Sequence, residues 1–247
     1  MKNKRAIYSI LAANVISGFA QGISMIAIPW YFAHILDDAS AFGHGFAIIT
    51  AITLFWSLYS GTLIDKYSRK GIFLVLNAIG FVLLTGFAWF GFYAGGLSAM
   101  ALLFVFGYNV LNYNIHFPNM YALGQEILPS KDYGKFSSII EVQHQVTTVL
   151  AGIIAIALIP SKEGGNLVTE FLSLDIQPWT MHEIFLLDGF TYALSFVIIL
   201  TIKYVPDKKR VVQTGSVLSQ LKVGFAYLHE NRSVLTFGLS SYAVFLI

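Results

Sequence analysis

Long apolar runs separated by short polar segments dominate this chain. Six runs are each about 20 residues or more, the length that a helix needs to cross the ~30 Å hydrocarbon core of a bilayer. They occupy residues 6–33, 43–64, 71–93, 97–123, 136–160 and 183–204. A seventh run begins near residue 233. Because apolar residues are continuous rather than alternating, and because a backbone in lipid must satisfy its own hydrogen bonds, the pattern predicts helices rather than a barrel.

Composition agrees with this interpretation. Hydrophobic residues make up 56% of the chain and charged residues 11%, against roughly 25% charged residues in soluble domains. The mean hydropathy is +0.69. The absence of cysteine excludes disulfides and thiolate-ligated metals. We therefore expect an all-α protein that crosses a lipid bilayer several times and has no nucleic-acid partner.

The basic residues predict an orientation. Of the 15 lysines and arginines, all except Lys162 fall on the same side of the predicted spans as the N-terminus. Because cytoplasmic loops accumulate lysine and arginine, we expect a cytoplasmic N-terminus in a multi-pass protein of the plasma (inner) membrane.

Three regions are predicted along the chain. Residues 1–204 would form a six-helix transmembrane bundle, and residues 205–232 a cytoplasmic linker with an amphipathic helix. In that linker, apolar residues recur at spacings of 4, 4 and 3, which places them on one helical face. They are Val217, Leu221, Phe225 and Leu228. Residues 233–247 read as the beginning of a seventh, truncated span, so we expect a further part of the protein beyond Ile247.

A charged loop between spans 2 and 3 resembles the signature of a known family. It reads Gly61-x-x-x-Asp65-Lys66-x-Ser68-Arg69-Lys70. This loop resembles the cytoplasmic signature loop of the major facilitator superfamily. Two further stretches resemble the macrolide-efflux branch of the drug:proton antiporters. The first is Phe117-Pro118 followed by Ile127-Leu128-Pro129. The second is Phe185-Leu-Leu-Asp188-Gly-Phe-Thr191-Tyr192, with the Val217 to Arg232 helix behind it.

The resemblance implies a twelve-span transporter of two six-helix bundles, of which this chain holds the first. It implies export of amphipathic organic compounds driven by the proton gradient, with no bound cofactor. The partner would be the C-terminal six-helix half or a second copy of this chain. Two features depart from the family: span 4 lacks the usual arginine, and the antiporter motif of span 5 is reduced to Ala151-Gly152-Ile153-Ile154.

The signature loop carries the predicted gate, whose residues are Gly61, Asp65, Lys66, Arg69, Lys70 and Glu126. We expect Gly61 to allow close packing at the end of span 2, and Asp65 to face the positive N-terminal end of a helix in the second bundle. Arg69 would bind either Asp65 or Glu126. A simpler interpretation is that the basic residues only fix the topology.

Spans 1 and 4 each carry a polar stripe at spacings of 3, 4 and 3. The stripes are Asn14, Ser17, Gln21 and Ser24 in span 1, and Asn109, Asn112, His116 and Asn119 in span 4. Such groups either form interhelical hydrogen bonds or line a cavity. The resemblance favours a cavity, because helices 1 and 4 line it in the superfamily. The predicted cavity residues are Asn14, Ser17, Gln21, Asn109, Asn112 and His116.

Three ionisable residues within the spans are predicted as candidates for proton coupling. Glu141 and His144 are three apart, so they can touch across one turn. They form either a coupling pair or a hydrated pair at the cytoplasmic mouth. Asp188 is a proton carrier or, as we favour, an acceptor for hydroxyl or amide groups of a neighbouring helix.

Motifs for other chemistry are missing from the sequence. It contains no metalloprotease, nucleophile-elbow or phosphate-loop motif. His34, Asp37, Asp38 and His44 are interpreted as a solvated loop rather than a metal site. We therefore predict no catalytic residue and no bound metal. The alternative to a transporter is a non-transporting six-span interaction module or an isolated half-transporter.

Overall fold

The computed structural model describes residues 3–159, 177–206 and 217–243. Within these ranges the chain forms eight α-helices and no strand. The helices are α1 (Lys4–His34), α2 (Ala39–Lys66), α3 (Arg69–Ala94), α4 (Ala99–Ile127), α5 (Tyr133–Leu158), α6 (Met181–Thr201), α7 (Val217–Glu230) and α8 (Arg232–Ala243). A short 3₁₀ turn, Ser130–Asp132, precedes α5.

Short polar side chains set the beginnings of several helices. Asp38, Ser68 and Ser98 each accept a hydrogen bond from the backbone N–H three residues later, at the starts of α2, α3 and α4. A capping box of Thr180 and Glu183 begins α6. These bonds satisfy N–H groups that have no partner inside the helix.

Five of the described helices are long and apolar enough to cross a membrane: α1, α2, α3, α5 and α6. The prediction of an all-α, multi-pass membrane protein is therefore confirmed. Helix α4 is 29 residues long, but its side-chain amides lower its mean hydropathy, so it is not among these five. The count of six spans stays a prediction.

Helix α1 lies at the centre of the bundle. It packs on α5 and α6, while α3 packs on α6 and α2 packs on α4. A methyl group added at Gly22 of α1 would lie only 2.8 Å from the Cβ of Ala151 in α5. Gly22 therefore lets α1 and α5 pack closely. At Gly18 the nearest atom would be 3.9 Å away, on Thr147, which is an ordinary contact.

Burial is uneven among the helices. In the apolar stretch of α1, 44% of the residues are buried, against 22% in the stretch that contains α5 and 11% in α2. Helices α2 and α5 therefore form the least covered sides of the bundle.

Part of the predicted organisation lies outside the described residues. This applies to most of the outer segment between α5 and α6, to the linker at 207–216 and to residues 244–247. The predicted amphipathic segment is helical in α7, but its side chains at Val217, Leu221 and Phe225 are among those not described. The division at 204 and 232 stays a prediction.

Candidate functional site

A cavity of about 230 Å³ opens between α1, α4 and α5. It is lined by Asn14, Ser17, Gly18, Gln21, Gly22, Met25, Ile26, Asn109, Tyr113, His116, Phe117, His144, Thr147 and Thr148. None of these residues is Asp, Glu, Lys or Arg. The cavity can therefore offer hydrogen bonds and aromatic contacts, but its lining supplies no fixed formal charge.

Hydrogen bonds between α1 and α4 hold two walls of the cavity together. The Nε2 of Gln21 donates to the backbone oxygen of Asn109 at 3.1 Å. Two turns away along both helices, the Nε2 of His116 lies 2.8 Å from the Oδ1 of Asn14. Because each bond joins the two helices, the polar stripes of α1 and α4 face one another across the cavity.

Aromatic rings form the wall between α4 and α5. The rings of Phe117 and His144 meet edge to face, with centroids 5.0 Å apart, and Tyr113 packs on Phe117 at 4.7 Å. The hydroxyl oxygen of Tyr113 lies 3.4 Å from the Nε2 of His144. Neither aromatic residue of α4 was predicted to line the cavity. Tyr113 lies next to the polar stripe in sequence, whereas Phe117 reads as an ordinary apolar residue.

Five of the six predicted cavity residues line this space, and Asn112 does not. Its Nδ2 donates to the hydroxyl oxygen of Tyr192 in α6 at 2.7 Å, and its side chain is buried. Asn112 lies apart from this cavity because the stripe on α4 faces α5 in one part and α6 in another.

Asn112 belongs to a second polar region, which we call the sealed polar layer and define as Ser24, Asn112, Asp188 and Tyr192. None of the four is more than 4% exposed. The Oγ of Ser24 donates to the Oδ2 of Asp188 at 2.8 Å. Among the described residues, the other carboxyl oxygen of Asp188 has no hydrogen-bond partner. Asp188 therefore accepts a hydrogen bond from a hydroxyl group of a neighbouring helix, that of Ser24 in α1.

Glu141 and His144 do not form an ion pair in the described structure. Glu141 accepts a hydrogen bond from the hydroxyl of Tyr121, while His144 faces Tyr113 and Phe117. The spacing permitted a contact across one turn, but both side chains turn instead to aromatic residues of α4. Glu141 is exposed, and His144 lines the cavity.

The signature loop is tied to the ends of two other helices. The Nη1 of Arg69 donates to the Oε2 of Glu126 at 2.5 Å, and the hydroxyl of Tyr204 donates to the Oε1 of the same carboxylate at 3.0 Å. The Nζ of Lys70 donates to the backbone oxygens of Leu200 and Ile202, at the end of α6. Of the two partners left open for Arg69, the structure shows Glu126.

The other gate residues lie on the surface. Gly61, Asp65 and Lys66 are exposed, and a methyl group added at Gly61 would meet nothing within 4 Å. The expected close packing at Gly61 is therefore not made within the described residues. The cause is its position on the uncovered side of α2.

Comparison with known families gave one match. The profile of the Major Facilitator Superfamily matches residues 10–247. No match was found among curated proteins or among solved structures. Because the profile covers nearly the whole chain, the resemblance seen in the signature loop is confirmed: the chain belongs to the Major Facilitator Superfamily, whose members are membrane transporters and not enzymes.

Proposed function

We propose that this protein is a secondary active transporter that exports amphipathic organic compounds, driven by the proton gradient, through alternating access. The observation that carries the proposal is the uncharged cavity between α1, α4 and α5. Amide, hydroxyl and imidazole groups line it beside Phe117 and Tyr113. Such a lining suits a compound with a flat apolar body and a few hydrogen-bonding groups. The resemblance to the macrolide-efflux branch points to the same class.

In this proposal helix α4 also crosses the membrane, which brings the number of spans to six. At 1.5 Å per residue its 29 residues extend over about 43 Å, more than the bilayer core requires. Its polar groups face protein: Asn112 bonds to Tyr192, and His116 to Asn14. Amides that find partners inside a bundle lower the mean hydropathy of a helix without exposing polar groups to lipid.

Helix α5 separates two kinds of exposed surface. Glu141, Gln145 and Thr148 are exposed at spacings of 4 and 3, so they share one face, next to the cavity. A face with a carboxylate and an amide is costly in lipid. We infer that it faces water or a second six-helix bundle, either the C-terminal half of the transporter or a second copy. Rocking of two bundles around a midplane site provides alternating access.

The proposed gate depends on the same pairing of two bundles. Arg69 and Glu126 hold the start of α3 to the end of α4 within this bundle. Asp65, exposed at the end of α2, would meet the N-terminal end of a helix in the second bundle. The contact would lie on the cytoplasmic side if the N-terminus is cytoplasmic, as the distribution of basic residues predicts.

Among the three proposed coupling residues, the geometry favours Glu141 and His144 over Asp188. A coupling group must exchange protons with water and must also sense the substrate. Glu141 is exposed one turn from His144, which lines the cavity. Asp188 is completely buried against Ser24. We therefore assign the coupling role to the pair on α5 and a structural role to Asp188.

Transport by inside-out vesicles tests the proposal. The expected result is accumulation of an amphipathic dye that stops when the pH gradient is collapsed. Glu141→Gln should abolish the response to the gradient while dye binding persists, and Gln145→Ala, a neighbouring exposed position, is the matched control. Transport that ignores the pH gradient would contradict proton coupling. A folded protein that neither binds nor moves any compound of a panel would favour the non-transporting interaction module.

A further inference from the structure

On the side of the bundle away from the cavity, a stripe of α1 is left uncovered between α5 and α6. Its exposed residues are Arg5, Tyr8, Ala12 and Val15, at spacings of 3, 4 and 3. The small side chain of Ala12 lowers the middle of the stripe, so the surface dips there. A shallow depression runs from Lys4 past Ala12 to Ile198 of α6.

Helix α5 lies on the other flank of this stripe and forms one wall of a separate groove there. Its exposed apolar side chains Ile139, Val142, Val146 and Leu150 fall on the face opposite Glu141 and Thr148. Two hollows follow the line between α1 and α5, of about 140 Å³ near the helix starts and about 570 Å³ further along. Since both hollows are lined by Leu11, Lys135 and Ile139, they form one continuous groove.

One end of the groove is basic and the rest is apolar. Lys4 and Lys135 line the hollow at the helix starts together with Asp132, and Arg5 lies beside it. The two positive ammonium groups outnumber the single negative carboxylate, so this end of the groove carries a net positive charge. From Lys135 to Leu150 the groove follows α5 for about 22 Å at 1.5 Å per residue. This length exceeds one leaflet of the hydrocarbon core, about 15 Å.

We propose that this groove binds an anionic phospholipid, with the phosphate held between Lys4 and Lys135 and an acyl chain lying along α1 and α5. Compact ammonium groups suit a phosphate oxygen as point charges. Basic hollows at the cytoplasmic ends of membrane helices attract anionic headgroups. The apolar walls match an acyl chain and would face lipid in any case. The charge at one end is what distinguishes this groove from an ordinary lipid-facing surface.

Native mass spectrometry of the purified protein measures this binding directly. The probes are phosphatidylglycerol and phosphatidylcholine with identical acyl chains, and glycerol 3-phosphate as a headgroup without chains. We expect phosphatidylglycerol to bind roughly tenfold more tightly than phosphatidylcholine. The double variant Lys4→Ala/Lys135→Ala should abolish that preference. The matched control, Lys203→Ala/Lys222→Ala, removes two exposed lysines elsewhere and should retain it.

A further variant, Val15→Phe, narrows the groove at an exposed position that lines it and should weaken binding of both lipids. Unchanged binding in this variant would show that the chain lies elsewhere and would overturn the proposal. An equal loss in the two double-lysine variants would reduce the effect to general surface charge. Equally tight binding of glycerol 3-phosphate would identify a site for soluble anions. None of these results depends on transport activity, so the lipid site and the proposed transport function fail separately.

Discussion

Two polar regions lie among the apolar helices, and they differ in what surrounds them. The cavity is open and is bounded by α1, α4 and α5. The sealed polar layer is closed and is built from side chains of α1, α4 and α6. Both use side chains from the same two stripes. Whether those side chains line an open space or bond to a neighbouring helix depends on the third helix, which is α5 at the cavity and α6 at the sealed polar layer.

Helix α1 shows the difference within two turns. The hydroxyl of Ser17 bonds back to the oxygen of Ala13 in its own helix and borders the cavity. The hydroxyl of Ser24, seven residues later on the same face, crosses to Asp188 of α6. A polar stripe therefore fixes the direction of its side chains, whereas the helix opposite each position fixes their role.

The largest expected contrast between the regions comes from adding one methyl group to a glycine that packs beside each. At Gly80 of α3 the added carbon would lie 2.9 Å from both the ring of Tyr192 and the hydroxyl oxygen of Tyr108. Gly80→Ala should lower the free energy of unfolding by about 1–3 kcal/mol, since large rings in a packed layer cannot move aside. Gly18→Ala, beside the cavity, should change it by less than about 0.5 kcal/mol.

Thermal unfolding of both variants in the same detergent measures this difference. Equal midpoints for the two variants would mean that the layer around Tyr192 is as loosely packed as the cavity. The comparison between an open and a closed region would then fail.

The sequence predicts the helices well because continuous apolar runs have one stable form in lipid. The second span nevertheless begins four residues earlier than predicted, at Ala39 rather than 43, because Asp38 caps it at a polar turn. The signature loop was recognised from its resemblance to the family pattern together with its place after the second predicted span. The sequence left Asp65 and Glu126 as possible partners of Arg69, and only the fold shows that Glu126 forms the ion pair.

Side chains whose partners come from distant helices could not be assigned in this way. Asn112 was placed in the cavity because its stripe was treated as one face, although Tyr192, 80 residues away, receives its hydrogen bond. The spacing of Glu141 and His144 permits a contact across one turn, but the partner of Glu141 is Tyr121. Helical spacing describes neighbours on one helix, and these roles depend on which helix packs against it.

A smaller contrast is expected for the two serines of α1. Ser24→Ala removes the hydrogen bond to Asp188, whose other oxygen has no described partner. A buried carboxyl left without its donor should cost about 1–2 kcal/mol of stability. Ser17→Ala removes only a bond to its own helix and should be close to neutral. Thermal unfolding measures both, and an equal effect of the two variants would contradict the assignment of Ser24 to a sealed layer.

Gln21 should affect stability only modestly and should matter for binding instead. Gln21→Ala loses one partly exposed hydrogen bond to the backbone of Asn109, a change of about 0.5–1 kcal/mol. If the cavity binds substrate, the same change should abolish most of the thermal stabilisation given by the best compound of an amphipathic panel. Asn112→Ala should have the opposite pattern of effects. It should lower the midpoint of thermal unfolding, while the compound should still raise that midpoint by as much as in the unmodified protein. If Asn112→Ala removed that shift and Gln21→Ala did not, the binding site would lie at α6 and the roles of the two regions would be exchanged.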